Sequence, residues 1–288
     1  MAGGLLIVID GPAGAGKSTV ARRLAERYGL PVLDTGAIYR ALALFARERG
    51  VAWSDASGLA RLTTELASDA NAASDANAAS DANAASDAAV SSDANAASDA
   101  NITAEAATPG IRFVPAHAPG AAQRVLLAGR DVTAAIRTPE ISDGASQVSA
   151  HPAVREGLLG IQRQLGARGC VAEGRDLGTV VFPDAAFKFF LTADDRVRAA
   201  RRQHEQREQG RELPLEQVLR DLQSRDERDQ SREAAPLVQA ADAVLVDSTG
   251  KDLDAVVHAI VAEIGRRQAE AGPKARLATR SRPGQSPA

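Results

Sequence analysis

The chain has one cysteine, Cys170, so it cannot close an internal disulfide, and a reducing compartment fits that usage. Cys170 stands in the apolar stretch Gly169-Cys170-Val171-Ala172 with no flanking histidine, which predicts a buried strand residue rather than a nucleophile. Aromatic residues are only 3% of the 288, so Val, Leu, Ile and Ala must fill the core. No apolar run approaches the ~18 residues of a membrane span. No basic flank precedes the first apolar run, so a secretory leader is not expected. A cytoplasmic protein with no membrane partner is the expectation. Neither sign of charge dominates: 34 basic residues face 37 acidic ones. No overall basic field argues for nucleic acid, and any anion site must come from local clusters of arginine.

What is present, 44% hydrophobic and 25% charged residues, is an ordinary globular balance. Two segments depart from it. Residues 68–103 are six tandem hexads, four of them Ser-Asp-Ala-Asn-Ala-Ala, with six Asp and no Lys or Arg. A hexad advances about 600° along a helix, so no face stays constant. As a strand it has nothing to bury, and the bulky inward residues of a hexapeptide solenoid are missing. Burial cannot offset the ordering entropy of such a segment, which predicts a solvated, disordered insertion. Residues 268–288, rich in Pro, Gly, Ser and basic side chains, predict a disordered tail.

Elsewhere short apolar runs alternate with helical patterns. Candidate strands are Leu5–Asp10, Pro31–Leu33, Gly169–Glu173, Phe187–Leu191 and Ala243–Asp247. Leu253, Val256, Val257, Ile260, Val261 and Ile264 form the clearest helical stripe. The alternation predicts an α/β fold on a parallel five-stranded sheet, with ligands beyond the carboxyl ends of its strands. Ile111–Val114 and Arg124–Leu127 predict a small antiparallel sheet inserted as its own subdomain.

Gly11, Pro12, Ala13, Gly14, Ala15, Gly16, Lys17 and Ser18 complete a G-x-x-x-x-G-K-[ST] phosphate loop, followed by Thr19. Its glycines let successive amides point at a phosphate chain, Lys17 reaches the outer phosphates, and the Ser18 hydroxyl suits Mg²⁺. Such a loop alone does not separate a GTPase, a motor ATPase or a kinase. The chain lacks a guanine-reading Asn-Lys-x-Asp, since its late strand ends Val246-Asp247-Ser248-Thr249. Arginines gather in two clusters: Arg196, Arg198, Arg201 and Arg202, then Arg225, Arg228 and Arg232. Arg40, Arg155 and Arg175 stand singly. Guanidinium forks offset the repulsion between two phosphorylated substrates, so these positions favour phosphoryl transfer.

Further stretches carry a specific likeness: Leu33-Asp-Thr-Gly-Ala-Ile-Tyr-Arg40, Ile136-Arg-Thr-Pro-Glu140, Ala145-Ser-Gln-Val148 through Arg155, Glu173-Gly-Arg-Asp-Leu-Gly-Thr-Val-Val-Phe-Pro-Asp184, and Arg225-Asp-Glu-Arg-Asp229. With Ala234-Ala-Pro-Leu237 and Ala240-Ala-Asp-Ala243, they cover nearly all of residues 4–265 outside the hexads. In them the chain resembles the bacterial cytidylate kinases of the nucleoside monophosphate kinase superfamily. The resemblance implies a phosphate-loop core over residues 1–62 and 156–267, an acceptor-binding subdomain at about 63–155, and a short helical lid at about 194–212. It implies phosphorylation of CMP and dCMP by ATP with Mg²⁺. Apart from the resemblance, no exposed apolar stripe suggests assembly, so a monomer is expected. By the same likeness, Thr35, Arg40, Arg175 and Arg232 meet the acceptor, the three arginines at its phosphate. Ser146, Arg155 and Asp176 read the cytosine edge, Arg225 and Asp229 contact the sugar, and Arg201 reaches the ATP phosphates. Lys17, Arg175, Arg201 and Arg232 are the catalytic candidates. Asp176 can accept from the cytosine amino group and Arg155 can donate to its ring acceptors. The chain departs from the family pattern at Thr35, where Ser is common, at Glu173, where Asp is common, and at Ser18, where some members carry Gly. The acceptor phosphate is already an anionic nucleophile, so direct in-line transfer without a covalent intermediate is expected. A kinase of the same fold acting on UMP, AMP or shikimate, and a nucleotide-binding regulator that hydrolyses ATP slowly, are the rival readings.

Overall fold

The structure is a computed structural model that describes residues 4–67, 110–114, 123–208 and 210–270. The hexad segment, the Pro119-Gly120 connection and the tail beyond Glu270 lie outside those residues. Strand β1 (Leu6–Asp10) is the centre of a five-stranded parallel sheet with β2 (Val32–Asp34), β6 (Cys170–Gly174), β7 (Phe187–Thr192) and β8 (Val244–Asp247), in the order β2-β6-β1-β7-β8. All five match the expected strands within a residue or two. Ile7, Val8 and Ile9 are fully buried, as an unbroken apolar run on a doubly covered sheet must be.

Period-two alternation divides the core between the two faces. Ile7, Ile9 and Val171 pack with helix α1 (Lys17–Tyr28) and helix α8 (Leu253–Glu270). Val8, Cys170 and Ala172 pack with helix α2 (Thr35–Glu48), helix α4 (Pro139–Val148) and helix α5 (Pro152–Gly166). Between α2 and α4 in sequence, residues 56–67 form helix α3. The result is a helix–sheet–helix sandwich. Cys170 is 1% exposed, and burial pushes its thiol up to about 12, so it is the inert strand cysteine expected.

The small sheet is also present. Strands β3 (Ile111–Val114), β4 (Arg124–Leu127) and β5 (Arg130–Asp131) run antiparallel, with Ile111 opposite Leu127 and Leu126 opposite Asp131. Its apolar side chains Ile111, Val125 and Leu127 share the core of α2 and α4. Helix α6 (Asp195–Glu208) and helix α7 (Leu215–Ser231) form a hairpin over the phosphate-loop end of the sheet. One boundary moves. Gln268–Glu270, assigned to the tail from composition, continue α8, where Arg266 pairs with Glu263 and Glu270 one turn to either side.

Candidate active site

The phosphate loop joins β1 to α1. Gly11 leaves the strand at φ 146°, and a Cβ there would lie 2.0 Å from the Leu191 carbonyl oxygen. Gly14 adopts φ 73° against helix α6. Both positions need glycine, the first for close approach and the second for its left-handed backbone. Lys17 Nζ donates to the Pro12 carbonyl at 2.7 Å. Burial, and then the Arg175 charge, lower the Lys17 ammonium, a shift that an anion beside it would reverse. Ser18 Oγ donates to Glu173 Oε2 at 2.8 Å. Burial first, then Asp34, push the Glu173 carboxyl up.

The neighbouring side chains come from segments far apart in sequence. Asp34 caps α2 by accepting from the Ala37 amide at 2.9 Å, and its other oxygen holds Arg40 at 2.7 Å. Thr35 Oγ1 donates to the Glu173 carbonyl at 2.8 Å, tying α2 to β6. The turn after β6 carries Arg175 and Asp176. Arg155 of α5 pairs with Asp176 and lies 5.3 Å over the Tyr39 ring. From α7, Asp229 accepts from Arg175 Nε at 2.9 Å and sits 3.7 Å from Arg232. Burial alone would raise the Asp229 carboxyl; Arg175, Arg225 and Arg232 outweigh it and hold it below its usual range.

One cleft of about 220 Å³ joins the two sets. Of the residues read from the sequence, Ala13, Gly14, Gly16, Lys17, Ser18, Thr19, Thr35, Arg40, Ser146, Arg155, Arg175, Asp176, Arg225, Asp229 and Arg232 all line it. Several of its donors have no hydrogen-bond partner although buried: Arg40 Nε, Arg155 Nε, Arg225 Nε, Arg232 Nη2 and the Ser146 hydroxyl. Burial, followed by repulsion from Arg175, pulls Arg225 down to about 10. Buried N–H groups on crowded cations are costly unless an anion accepts from them.

A profile of the family described as Cytidylate kinase matches residues 7–266. The chain is 40% identical over 265 residues to a cytidylate kinase of Syntrophotalea carbinolica, covering 92% of this chain and 93% of that one. It is 39% identical to a cytidylate kinase of Carboxydothermus hydrogenoformans, over 91% of this chain and 97% of the relative. A cytidylate kinase of Pseudomonas aeruginosa is also 39% identical, over 91% of this chain and 96% of its own.

The chain belongs to the cytidylate kinase family.

Within this kinase the arginines differ in their surroundings. Arg175, Arg225 and Arg232 face the cleft. Arg198, grouped by sequence with arginines that close over phosphates, is instead 5% exposed and bonded to the Ala13 carbonyl and to Asp226. Arg196 and Arg228 point outward into ion pairs with Glu216 and Asp143. Arg201 is not among the cleft-lining residues. It donates to Ser248 Oγ and to the Ser248 carbonyl at 2.9 Å, and to the Ala15 carbonyl at 3.4 Å. Its neighbour Arg202 lines the cleft, beside Glu205 at 3.1 Å. Gly11, Pro12 and Ala15 shape the loop without lining the cleft. Sequence reading gave no role to Asp34 or Tyr39, and placed Arg202 only within its phosphate-facing cluster. An Asp just before a helical run is an N-cap signal that could have found Asp34.

Proposed function

We propose that this kinase moves the γ-phosphoryl group of ATP in line to a phosphate oxygen of CMP or dCMP, giving CDP or dCDP. The observation that carries the reading is the single cleft in which a phosphate loop faces buried guanidinium groups with unpartnered N–H donors. One set suits a triphosphate and the other a monophosphate. Lys17 and the loop amides hold the donor phosphates. Arg40, Arg175 and Arg232 hold the acceptor phosphate and share the charge that spreads in the transition state. Arg225 and Asp229 position the sugar. Arg155, Asp176 and Ser146 read the base. A uracil O4 would face the Asp176 carboxylate in repulsion, which sets CMP above UMP. Arg201, with Arg202 beside it, serves the donor side.

The oxygen donors at the loop fit Mg²⁺. Ser18 Oγ and Glu173 are hard ligands 2.8 Å apart, and no group of three or more His, Cys, Asp or Glu able to hold a metal occurs among the described residues. Mg²⁺ in such surroundings takes most of its ligands from nucleotide phosphates and water. When bound it neutralises phosphate charge; Ser18 would ligate it and Glu173 would orient its water. Residues 63–155 are proposed to act as the acceptor-binding unit and residues 194–212 as a lid. A monomer in the cytoplasm, without nucleic-acid or membrane partners, is proposed alongside. No helix among the described residues is long and apolar enough to cross a membrane.

The deciding experiment supplies purified protein with ATP, Mg²⁺ and a panel of CMP, dCMP, UMP, AMP and shikimate. CDP and dCDP should dominate. ATP turnover indifferent to the acceptor would favour the regulator reading instead.

A further inference from the structure

Ala13 lies in the phosphate loop, yet its surroundings belong to the helical hairpin. Its side chain packs with Ala199 of α6 and with Val218 and Leu222 of α7, a cluster apart from both faces of the sheet. Its amide donates to Asp226 Oδ1 at 3.0 Å, and its carbonyl accepts from Arg198 Nη1 at 2.7 Å. Arg198 Nη1 also meets Asp226 Oδ2 at 2.5 Å, and Arg198 Nη2 meets Asp195 at 2.5 Å. The Arg198 and Asp226 side chains are 6% and 8% exposed. Both backbone polar groups of one loop residue are thus clamped by one buried ion pair that joins α6 to α7.

Helix α7 is also the acceptor side. Arg225 precedes Asp226, and Asp229, one turn on, braces Arg175 and lies near Arg232. A continuous hydrogen-bonded helix is stiff over one turn, so whatever fixes Asp226 against the loop fixes these arginines against it too. Stability is a weak reason for the pair to be ionic, because well-packed apolar residues of similar size are commonly as stable or more so. An ion pair with forked, directional bonds sets register better than apolar packing does.

We infer that Arg198 and Asp226 are positioning residues for the transfer reaction. They lock the donor-binding loop to the acceptor-binding helix, so that the two phosphates meet at a fixed separation. The inference rests on the kinase reading above. It places these residues in neither substrate site and assigns them to the alignment between the sites.

The test uses the full chain with Asp226→Asn, Arg198→Lys and both changes together. Asn can keep its one oxygen on the Ala13 amide but then faces Arg198 with an NH2 donor. Lys keeps the charge but, with one nitrogen in place of the planar guanidinium, cannot span Ala13, Asp226 and Asp195 together. Initial rates with ATP, Mg²⁺ and CMP are taken well below each thermal midpoint and scaled to folded protein by near-ultraviolet circular dichroism. The expected result is a fall in kcat of about 10- to 100-fold, the scale of a misaligned attack, with KM for both nucleotides little changed. The double variant should lose no more than the worse single one, as for residues acting as a unit. If Asp226→Asn fails to fold, Arg198→Lys carries the test. An unchanged kcat per folded molecule, or a loss confined to KM for ATP, overturns the proposal. Wild-type protein in the same assay separates the two layers: no CDP from it removes the kinase reading and this inference together, whereas an active wild type with an equally active variant removes only the inference.

Discussion

The two ends of the cleft, proposed to hold donor and acceptor, are built on opposite plans. The donor end is one continuous octapeptide whose working groups are backbone amides plus Lys17 and Ser18. The acceptor end is a set of side chains from α2, α4, α5, the turn after β6, and α7. A backbone site is set by local conformation, since the positive φ of Gly11, Gly14 and Gly16 shapes the loop directly. A side-chain site exists only when distant elements have packed. The donor end should therefore fail through the loss of a single charged group, and the acceptor end through loss of a partner that holds another residue in place.

The largest effect is expected at the donor end. Lys17→Ala removes the loop cation proposed to hold the outer phosphates and should lower kcat about 10²- to 10³-fold, the loss typical of one preorganised transition-state donor. Steady-state rates with both substrates saturating measure it, and near-wild-type turnover would take Lys17 out of the chemistry.

The next effect tests where the two ends meet. Asp10, the last residue of β1, accepts from the Leu177 and Gly178 amides at 3.0 and 2.7 Å and so anchors the turn carrying Asp176. Burial raises its carboxyl from 3.8 to about 6, against those same hydrogen bonds. The folded state therefore binds this proton more tightly than the unfolded chain does. The stabilisation is complete below pH 4 and is lost as pH rises through 6, by on the order of 3 kcal/mol. Asp10→Asn has no such dependence. Urea unfolding at pH 4.5 and pH 7 should show the wild type losing ground to the variant at the higher pH. A constant difference between the two proteins across that range would mean that Asp10 does not titrate there.

What could be read from the sequence follows the same division. Strands β1, β6 and β7 and the stripe of α8 were legible because each is an apolar run or period that its own residues declare. The phosphate loop was legible for the same reason. The residues proposed for the acceptor were reached through likeness to a family, because nothing in the spacing of Arg40, Ser146, Arg155 and Arg232 says that they share a cleft. The clamp on Ala13 was invisible, since Asp226 is 213 residues away and its partner Arg198 looked like one more phosphate-facing arginine. Arg201 and Arg202 show the limit of such reading. They are adjacent in sequence, but helical geometry turns one to Ser248 and the other toward the cleft.

A base-selectivity experiment sharpens the acceptor side. Asp176→Ala removes the carboxylate assigned to the cytosine amino group, so the preference for CMP over UMP should fall by about 1–3 kcal/mol in relative kcat/KM. The ratio is insensitive to how much protein is folded, so lost stability cannot imitate the effect. An unchanged ratio would remove Asp176 from the base site, whatever happened to the rate.

The smallest effect comes from the same pair of side-chain types placed elsewhere. Arg23 and Asp254 join α1 to α8 at 2.6 Å, closer than many functional contacts in the cleft, but their side chains are 48% and 81% exposed. Those of Arg155 and Asp176 are 8% and 7% exposed. Water already solvates both partners of the surface pair, so its formation replaces good interactions with similar ones and is screened by salt. In the cleft each charge has given up its water, and removing one leaves the other stranded. Arg23→Gln should therefore shift the urea-unfolding free energy by no more than about 0.5 kcal/mol and leave the CMP/UMP ratio untouched. A loss above about 1 kcal/mol would mean that short contact distance, and not burial, decides what an arginine–carboxylate pair contributes in this fold.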